Sequence, residues 1–310
     1  MAIGHPSFRT SDSIIQSLAT RMGYGYPDVD PVELAINREF AMSSTSAAEF
    51  AWFYLCSEAL SKFSNNSPAS SKLRREAAEA SFWRSEEACR IANGRLVDPW
   101  TRCSLNQRVL RRARTLVTSV LGPFPWEQFS WECGFGPGAS LGLRRQASSQ
   151  QNKWVKSAHI TQTAIPYFAA FRRWAGLNTL PRIGQLKIAQ GNRITTVPKS
   201  WKTDRIIAVE PDWNMFFQKG VGGLIRHRLQ RVGLLKPDAQ ETNRALARHG
   251  SQTGLLATLD LSAASDSISL ALCEALLPED WFRVLLDLRS PEGVLPSGTH
   301  CQYAKISPLS

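Results

Sequence analysis

Apolar positions recur at helical spacing through the first part of the chain and gather into short β-branched runs in the last part. In "SAAEFAWFYLCSEALSKF" (46–63), Phe50, Phe53, Tyr54 and Leu60 predict a helix with a buried face. "NNSPASS" (65–71) reads as a turn-rich break. The run 72–94 predicts a long amphipathic helix that stops at Asn93-Gly94. A further helix over 104–122 ends at Gly122, ahead of Pro123. Its Arg108, Arg111, Arg112 and Arg114 form either a solvated polar face or an RNA-facing one. From about residue 186 the pattern changes. "NRITTVPK" and "DRIIAVEP" read as strands bounded by Pro198 and Pro211. Residues 213–233 read as a helix with a glycine-softened middle, and "LLATLD" (255–260) as a buried strand. Asp266 or Ser267 then caps a helix running to about Leu277, where Pro278 ends it. "EDWFRVLLDLRS" predicts one more helix, and "GVLPSGTHCQYAKIS" a hairpin around "PSG".

Composition narrows the class. A 43% hydrophobic content over 310 residues supports a sizeable core rather than a disordered chain. The net charge of +11 suggests an anionic partner, with nucleic acid the commonest and a membrane surface also consistent. No stretch reaches the roughly 18 consecutive apolar residues of a membrane span. The first residues lack the basic region and apolar core of a secretory signal. Cys56, Cys89, Cys103, Cys133, Cys273 and Cys301 form no C-x-x-C pair, which argues against a zinc knuckle and predicts reduced thiols in a cytosolic protein.

Three stretches carry candidate chemistry. Gly134, Gly136, Pro137 and Gly138 demand an irregular backbone, and Arg144, Arg145 and Lys153 add charge beside it. That combination is an ordinary loop or, less commonly, a phosphate contact, and no P-loop pattern occurs. The second stretch is basic. Lys199, Lys202 and Arg205 stand three residues apart, within a region (191–231) holding eight Lys/Arg against three acids. Such charge can grip a triphosphate or track an RNA backbone, or it can be an ordinary basic surface. The third is "LDLSAASDSIS". A carboxylate at a strand end, Asp260, is a rigid perch for a hard cation such as Mg²⁺. Asp266, six residues on, can cap a helix or reach a nucleotide sugar hydroxyl, and small neighbours leave room for a ligand.

A basic strand region, then a basic helix, then a strand ending in D-x5-D follows the order found in template-directed polymerases. The runs "NRITTVPKSWKTDRIIAVEPDWNMFFQKGVGGLIRHRL" and "ATLDLSAASDSISLALCEALLPEDWFRVLLDLRSPEGVLPSG" closely resemble the replicases of single-stranded RNA phages, the group that contains Q-beta. The strong resemblance covers about 190–306. "FGPGAS" and the helix before it (103–140) are similar more loosely, and the first hundred residues only in helical character.

The resemblance implies an RNA-directed RNA polymerase of the α+β class with right-hand architecture. Residues 1–185 would be a mainly helical fingers region, 186–254 the fingers with basic motif F, and 255–310 a first, incomplete palm segment with motif A. The thumb and the remaining palm are not expected in this sequence. Asp260 matches the metal-binding aspartate, with the backbone carbonyl of Leu261 as a further ligand. Asp266 matches the residue that senses the nucleotide sugar. Lys199 and Lys202 would neutralise the incoming triphosphate, and Arg205 would contact the nucleotide or its phosphates. The implied cofactor is Mg²⁺ in a two-metal site. The implied partners are template RNA and NTPs, with host elongation factors Tu and Ts and a ribosomal RNA-binding protein open as further ones. The implied location is the cytoplasm of an infected bacterium, with no membrane partner.

The departures matter equally. The sequence contains no Gly-Asp-Asp and no Ser/Gly/Asn-rich motif B, and from Pro308 it leaves the family pattern. The expectation is an open reading frame truncated or frame-shifted near residue 307, whose product does not polymerise RNA alone. Two other readings stay open: a non-catalytic basic RNA-binding protein, and a reverse transcriptase or other right-hand polymerase, against which "WNMFFQ" and "LSAASDSIS" favour the phage group.

Overall fold

The computed structural model describes residues 54, 68–97, 104–176, 180–200, 203–259, 261 and 263–307. Helices outweigh strands among them, in keeping with the α+β class. The helices are α1 (Pro68–Val97), α2 (Ser104–Leu121), α3 (Trp126–Glu132), α4 (Gln150–Lys156), α5 (Ile165–Ala175), α6 (Asp212–Arg231), α7 (Ala239–Thr253), α8 (Leu270–Leu276) and α9 (Glu279–Leu288). The strands are β1 (His159–Thr161), β2 (Lys187–Ala189), β3 (Asn192–Pro198), β4 (Asp204–Val209), β5 (Glu292–Val294) and β6 (His300–Gln302). No helix among the described residues is long and apolar enough to cross a membrane.

Two compact units divide the chain: Met1–Ala80 with Thr196–Arg205, and Ser81–Thr195 with Ile206–Ser310. In the first, Arg74 Nε donates to Asp204 Oδ1 at 3.1 Å, and both side chains are buried. The Ser200 amide donates to the Thr203 carbonyl at 3.1 Å.

The second unit is built around α6. Trp213, Phe216, Phe217, Val221 and Leu224 line its buried side and meet Phe129, Phe135, Phe168, Phe171 and Trp281 in one aromatic-rich core. Within "PDWNMFFQ", Asp212 and Asn214 are as deeply placed as Trp213, Phe216 and Phe217. Asp212 is fully buried at the start of α6, where its carboxylate accepts from the amides of Gly142 (3.1 Å), Ala158 (2.9 Å) and His159 (3.0 Å). Asn214 accepts from the Thr161 amide at 2.9 Å and donates to the Leu288 carbonyl at 2.9 Å. Each buried backbone group thereby finds the partner it would otherwise lose on leaving water. Two of the three glycines of α6 serve packing: a Cβ at Gly220 would lie 2.6 Å from Cys133 Sγ, and one at Gly223 would lie 2.5 Å from Glu132 Oε2.

Four strands form a sheet in the order β4-β3-β5-β6, and β1 pairs in parallel with β2. β3 and β5 run parallel (Asn192↔Gly293), and β5 and β6 run antiparallel (Gly293↔Cys301). The predicted hairpin is present, turned at Leu295–Gly298 with Gly298 at φ 85°. Gly293 leaves its Cβ position to the Tyr303 hydroxyl and the Asn192 amide oxygen. Tyr303 donates to Asn192 at 2.6 Å, and Asn192 and Ser290 each donate to the buried Glu210 at 2.6 Å. Burial pushes the Glu210 carboxyl above its ordinary range, against the pull of those donors.

Several sequence expectations need correction. Of the helix over 46–63, only Tyr54 lies among the described residues; it is helical but exposed, so it is no part of a buried face. Residues 68–71, read as part of a break, form the first turn of α1. Asn93-Gly94 does not stop α1, which continues to Val97, because the Asn93 side chain is engaged elsewhere and does not cap. Its buried face mixes Arg74 and Glu86 with Ala78, Phe82 and Cys89, so it is not simply amphipathic. Gly122 does close α2, in the left-handed region at φ 62°. Arg108, Arg111, Arg112 and Arg114 are exposed.

Replacing Asp212 by Ala leaves three buried amides without their acceptor. The expected loss is about 3 kcal/mol or more, at roughly 1–3 kcal/mol per unsatisfied group. Urea unfolding followed by tryptophan fluorescence measures it.

Candidate active site

The tract leading to the acidic motif is not the buried strand that its apolar run predicts. Residues 255–259 have no regular structure, and Leu259 is 90% exposed. A strand apolar on both faces needs neighbours on its edges and cover on its faces, and no described strand pairs with this one. Asp260, the metal-ligand candidate, lies outside the described residues. Leu261 follows at 75% exposure.

Beyond it the chain turns sharply. Ala263 has φ 53°, a conformation that a small residue tolerates and a β-branched one resists. A 3-10 turn over Ser265–Ser267 follows, and Ser269 caps α8 by accepting from the Leu272 amide at 3.3 Å. The cap is therefore neither Asp266 nor Ser267. Both stand too early, because the 3-10 turn intervenes. The turn is pinned to the chain after β6. Leu270 N donates to the Ala304 carbonyl and Ile306 N to the Ile268 carbonyl, each at 3.0 Å.

Freed from capping, Asp266 has another partner. Its Oδ1 accepts from Lys305 Nζ at 2.6 Å, while the side chain keeps 17% exposure. Lys305 is completely buried. Its ammonium also stands 3.5 Å from Glu86 Oε1 and 4.5 Å from the centroid of the Phe82 ring. One cation thus serves two carboxylates and an aromatic face, which offsets the cost of taking it out of water.

The support beneath this cluster is one face of α1. Phe82, Glu86, Cys89 and Asn93 recur at steps of four, three and four, which stacks them along one side of a helix. Glu86 Oε2 accepts from the Ala304 amide at 2.7 Å. Cys89 Sγ donates to the Asp266 carbonyl at 3.3 Å, and burial raises its pKa, which keeps it a thiol. Asn93 donates to the Ala304 carbonyl and accepts from the Ala271 amide, both at 2.8 Å. Sequence reasoning missed Glu86, Cys89, Asn93 and Lys305. The 82-86-89-93 spacing was visible, but a polar stripe on a charged helix reads as solvated, and nothing local marks Lys305 as buried.

The basic candidates divide. Lys199 is exposed just after β3, and Arg205 is exposed near the start of β4; both belong to the first unit. Lys202 lies outside the described residues. Asp266 and Leu261 belong to the second unit. Lys153, grouped by sequence with the Gly/Pro loop as available charge, is buried instead. It donates to the Gly136 carbonyl at 2.6 Å and to that of Gly138, so it binds the loop together rather than an anion. Among the described residues no three His, Cys, Asp or Glu side chains are grouped to hold a metal ion, and Asp266 is committed to Lys305. The described side chains do not make up the oxygen cage of a divalent cation.

A family model described as RNA replicase, beta-chain, matches residues 8–310. The chain is 38% identical over 314 residues to the RNA-directed RNA polymerase subunit beta of Enterobacteria phage SP, an alignment covering 99% of this chain and 54% of that protein. It is 43% identical over 233 residues to the subunit of the same name from Escherichia virus Qbeta, covering 74% and 39%. The RNA-directed RNA polymerase beta chain of Escherichia phage MS2 is 36% identical over 191 residues, covering 60% and 35%. The chain spans about half the length, or less, of these curated relatives.

Replacing Lys305 by Met strands Glu86 and Asp266 without their cation, and is expected to cost about 3–5 kcal/mol. Adding Glu86→Gln removes one stranded charge while keeping an acceptor for the Ala304 amide. The double variant should regain a substantial part of that loss in urea unfolding.

Proposed function

We propose, because the chain belongs to the RNA replicase beta-chain family, that it supplies nucleotide-handling segments of an RNA-directed RNA polymerase. The family match over residues 8–310 carries the reading. The reaction is attack of an RNA 3′ hydroxyl on the α-phosphorus of a nucleoside triphosphate, chosen by an RNA template, with pyrophosphate leaving. Right-hand architecture, with fingers followed by a first palm segment, belongs to the same proposal.

The roles proposed for individual residues are those that the family resemblance implies. Lys199, Lys202 and Arg205 neutralise the triphosphate; the exposure of Lys199 and Arg205 leaves both able to meet it. Asp266 accepts a hydrogen bond from the nucleotide sugar. The Asp260 carboxylate and the Leu261 carbonyl are the donors that would hold Mg²⁺. A divalent cation there would stabilise negative charge on the transferring phosphoryl group. Template RNA and NTPs are the partners in this reading. Host elongation factors Tu and Ts and a ribosomal RNA-binding protein are further proposed partners, and the bacterial cytoplasm the proposed location.

We also propose that the 310-residue chain does not polymerise RNA by itself. One carboxylate and one carbonyl fall short of two cations' needs, and the sequence holds no Gly-Asp-Asp to add more. Purified chain is expected to give no magnesium-dependent incorporation of labelled nucleotides on an RNA template above background. Clear incorporation would refute the proposed inactivity.

A further inference from the structure

We infer that Lys305 is a positioning residue for ribonucleotide recognition, holding Asp266 so that one carboxylate oxygen is spent and the other is offered to the sugar. The inference rests on the sugar-sensing role proposed for Asp266. Oδ1 of Asp266 is taken by Lys305 at 2.6 Å, and among the described residues Oδ2 has no hydrogen-bond partner. The 17% exposure of the side chain leaves it reachable from solvent. A hydroxyl can donate to such an oxygen, and a 2′-deoxy sugar has no hydroxyl to offer there.

Lys305 suits this task better than a surface lysine would. It is fully buried, its ammonium is fixed by Glu86 and by the face of Phe82, and the Ser269↔Lys305 bridge registers its backbone against the turn that carries Asp266. Cys89 holds the Asp266 carbonyl from the other side. Main chain and side chain of Asp266 are therefore both set before any ligand arrives, and a preset acceptor loses little freedom on binding. A buried lysine serving only stability would not need to point at the partly exposed carboxylate. Glu86 is closer to a purely structural partner, being wholly inside.

The test is equilibrium binding of ATP and 2′-dATP to the purified 310-residue chain, with and without magnesium. The unaltered chain is expected to favour ATP by about tenfold to a hundredfold, the range of one charge-assisted hydrogen bond. Two variants follow, each first checked for cooperative unfolding. Lys305→Met combined with Glu86→Gln is expected to lose the preference, with the fall confined to ATP. Lys305→Arg keeps the buried cation but moves its donors, and is expected to retain an intermediate preference. If one variant does not fold, the other decides. A folded variant with the unaltered ATP/dATP ratio overturns the positioning role and leaves the sugar reading standing. Equal binding of both nucleotides by the unaltered chain overturns the sugar reading, and the positioning role with it.

Discussion

A carboxylate with no access to water sits at the head of α6. Asp212 can be there only because three amides, from residues 142, 158 and 159, are aimed at it. Those amides belong to the Gly-rich loop and to the entry into β1, whose first residue is His159. One side chain thus fixes irregular backbone against the central helix. Asn214 repeats the device two residues on, toward Thr161 and the last turn of α9. With both anchors made, Trp213, Phe216 and Phe217 fall into the aromatic core, and Gly220 and Gly223 let α3 approach closely. Aromatic burial supplies the larger stabilisation, while the polar anchors decide which packing is reached.

A second anchored cluster works the same way at the candidate site. The turn around Asp266 has almost no internal structure beyond one 3-10 turn. It keeps its shape through α1 beneath it and residues 303–306 beside it, which both bond its backbone. Lys305 is the hub, since it compensates Glu86 and Asp266 at once. A nucleotide-facing acid is better held by such a frame than by a free loop, because hydrogen-bond discrimination depends on where the acceptor stands before the ligand comes.

Much of the element order was legible. β-branched runs bounded by proline became β3 and β4, Gly122 closed α2, and "PSG" turned the last hairpin, because each depends on local backbone preference. The failures share a cause. "LLATLD" has a strand's residues without a strand's neighbours, and pairing is not a local property. Asn93-Gly94 has a helix stop's residues, yet Asn93 is drawn into bonds with Ala304 and Ala271, far along the chain. Lys153 has an available charge by sequence, yet the Gly136 and Gly138 carbonyls take its ammonium.

The sequence by itself determined the family resemblance, the α+β class, the hydrophobic content for a core and the identity of the chemically able residues. These follow from residue types and short spacings, which survive without any fold. Only the tertiary structure decided which charges are spent. Arg74, Lys153 and Lys305 are themselves buried and consumed by partners within the fold, while Lys199 and Arg205 remain exposed. A charge's role is set by the groups brought within a few ångströms of it, and for Asp266 that group lies 39 residues further along the chain.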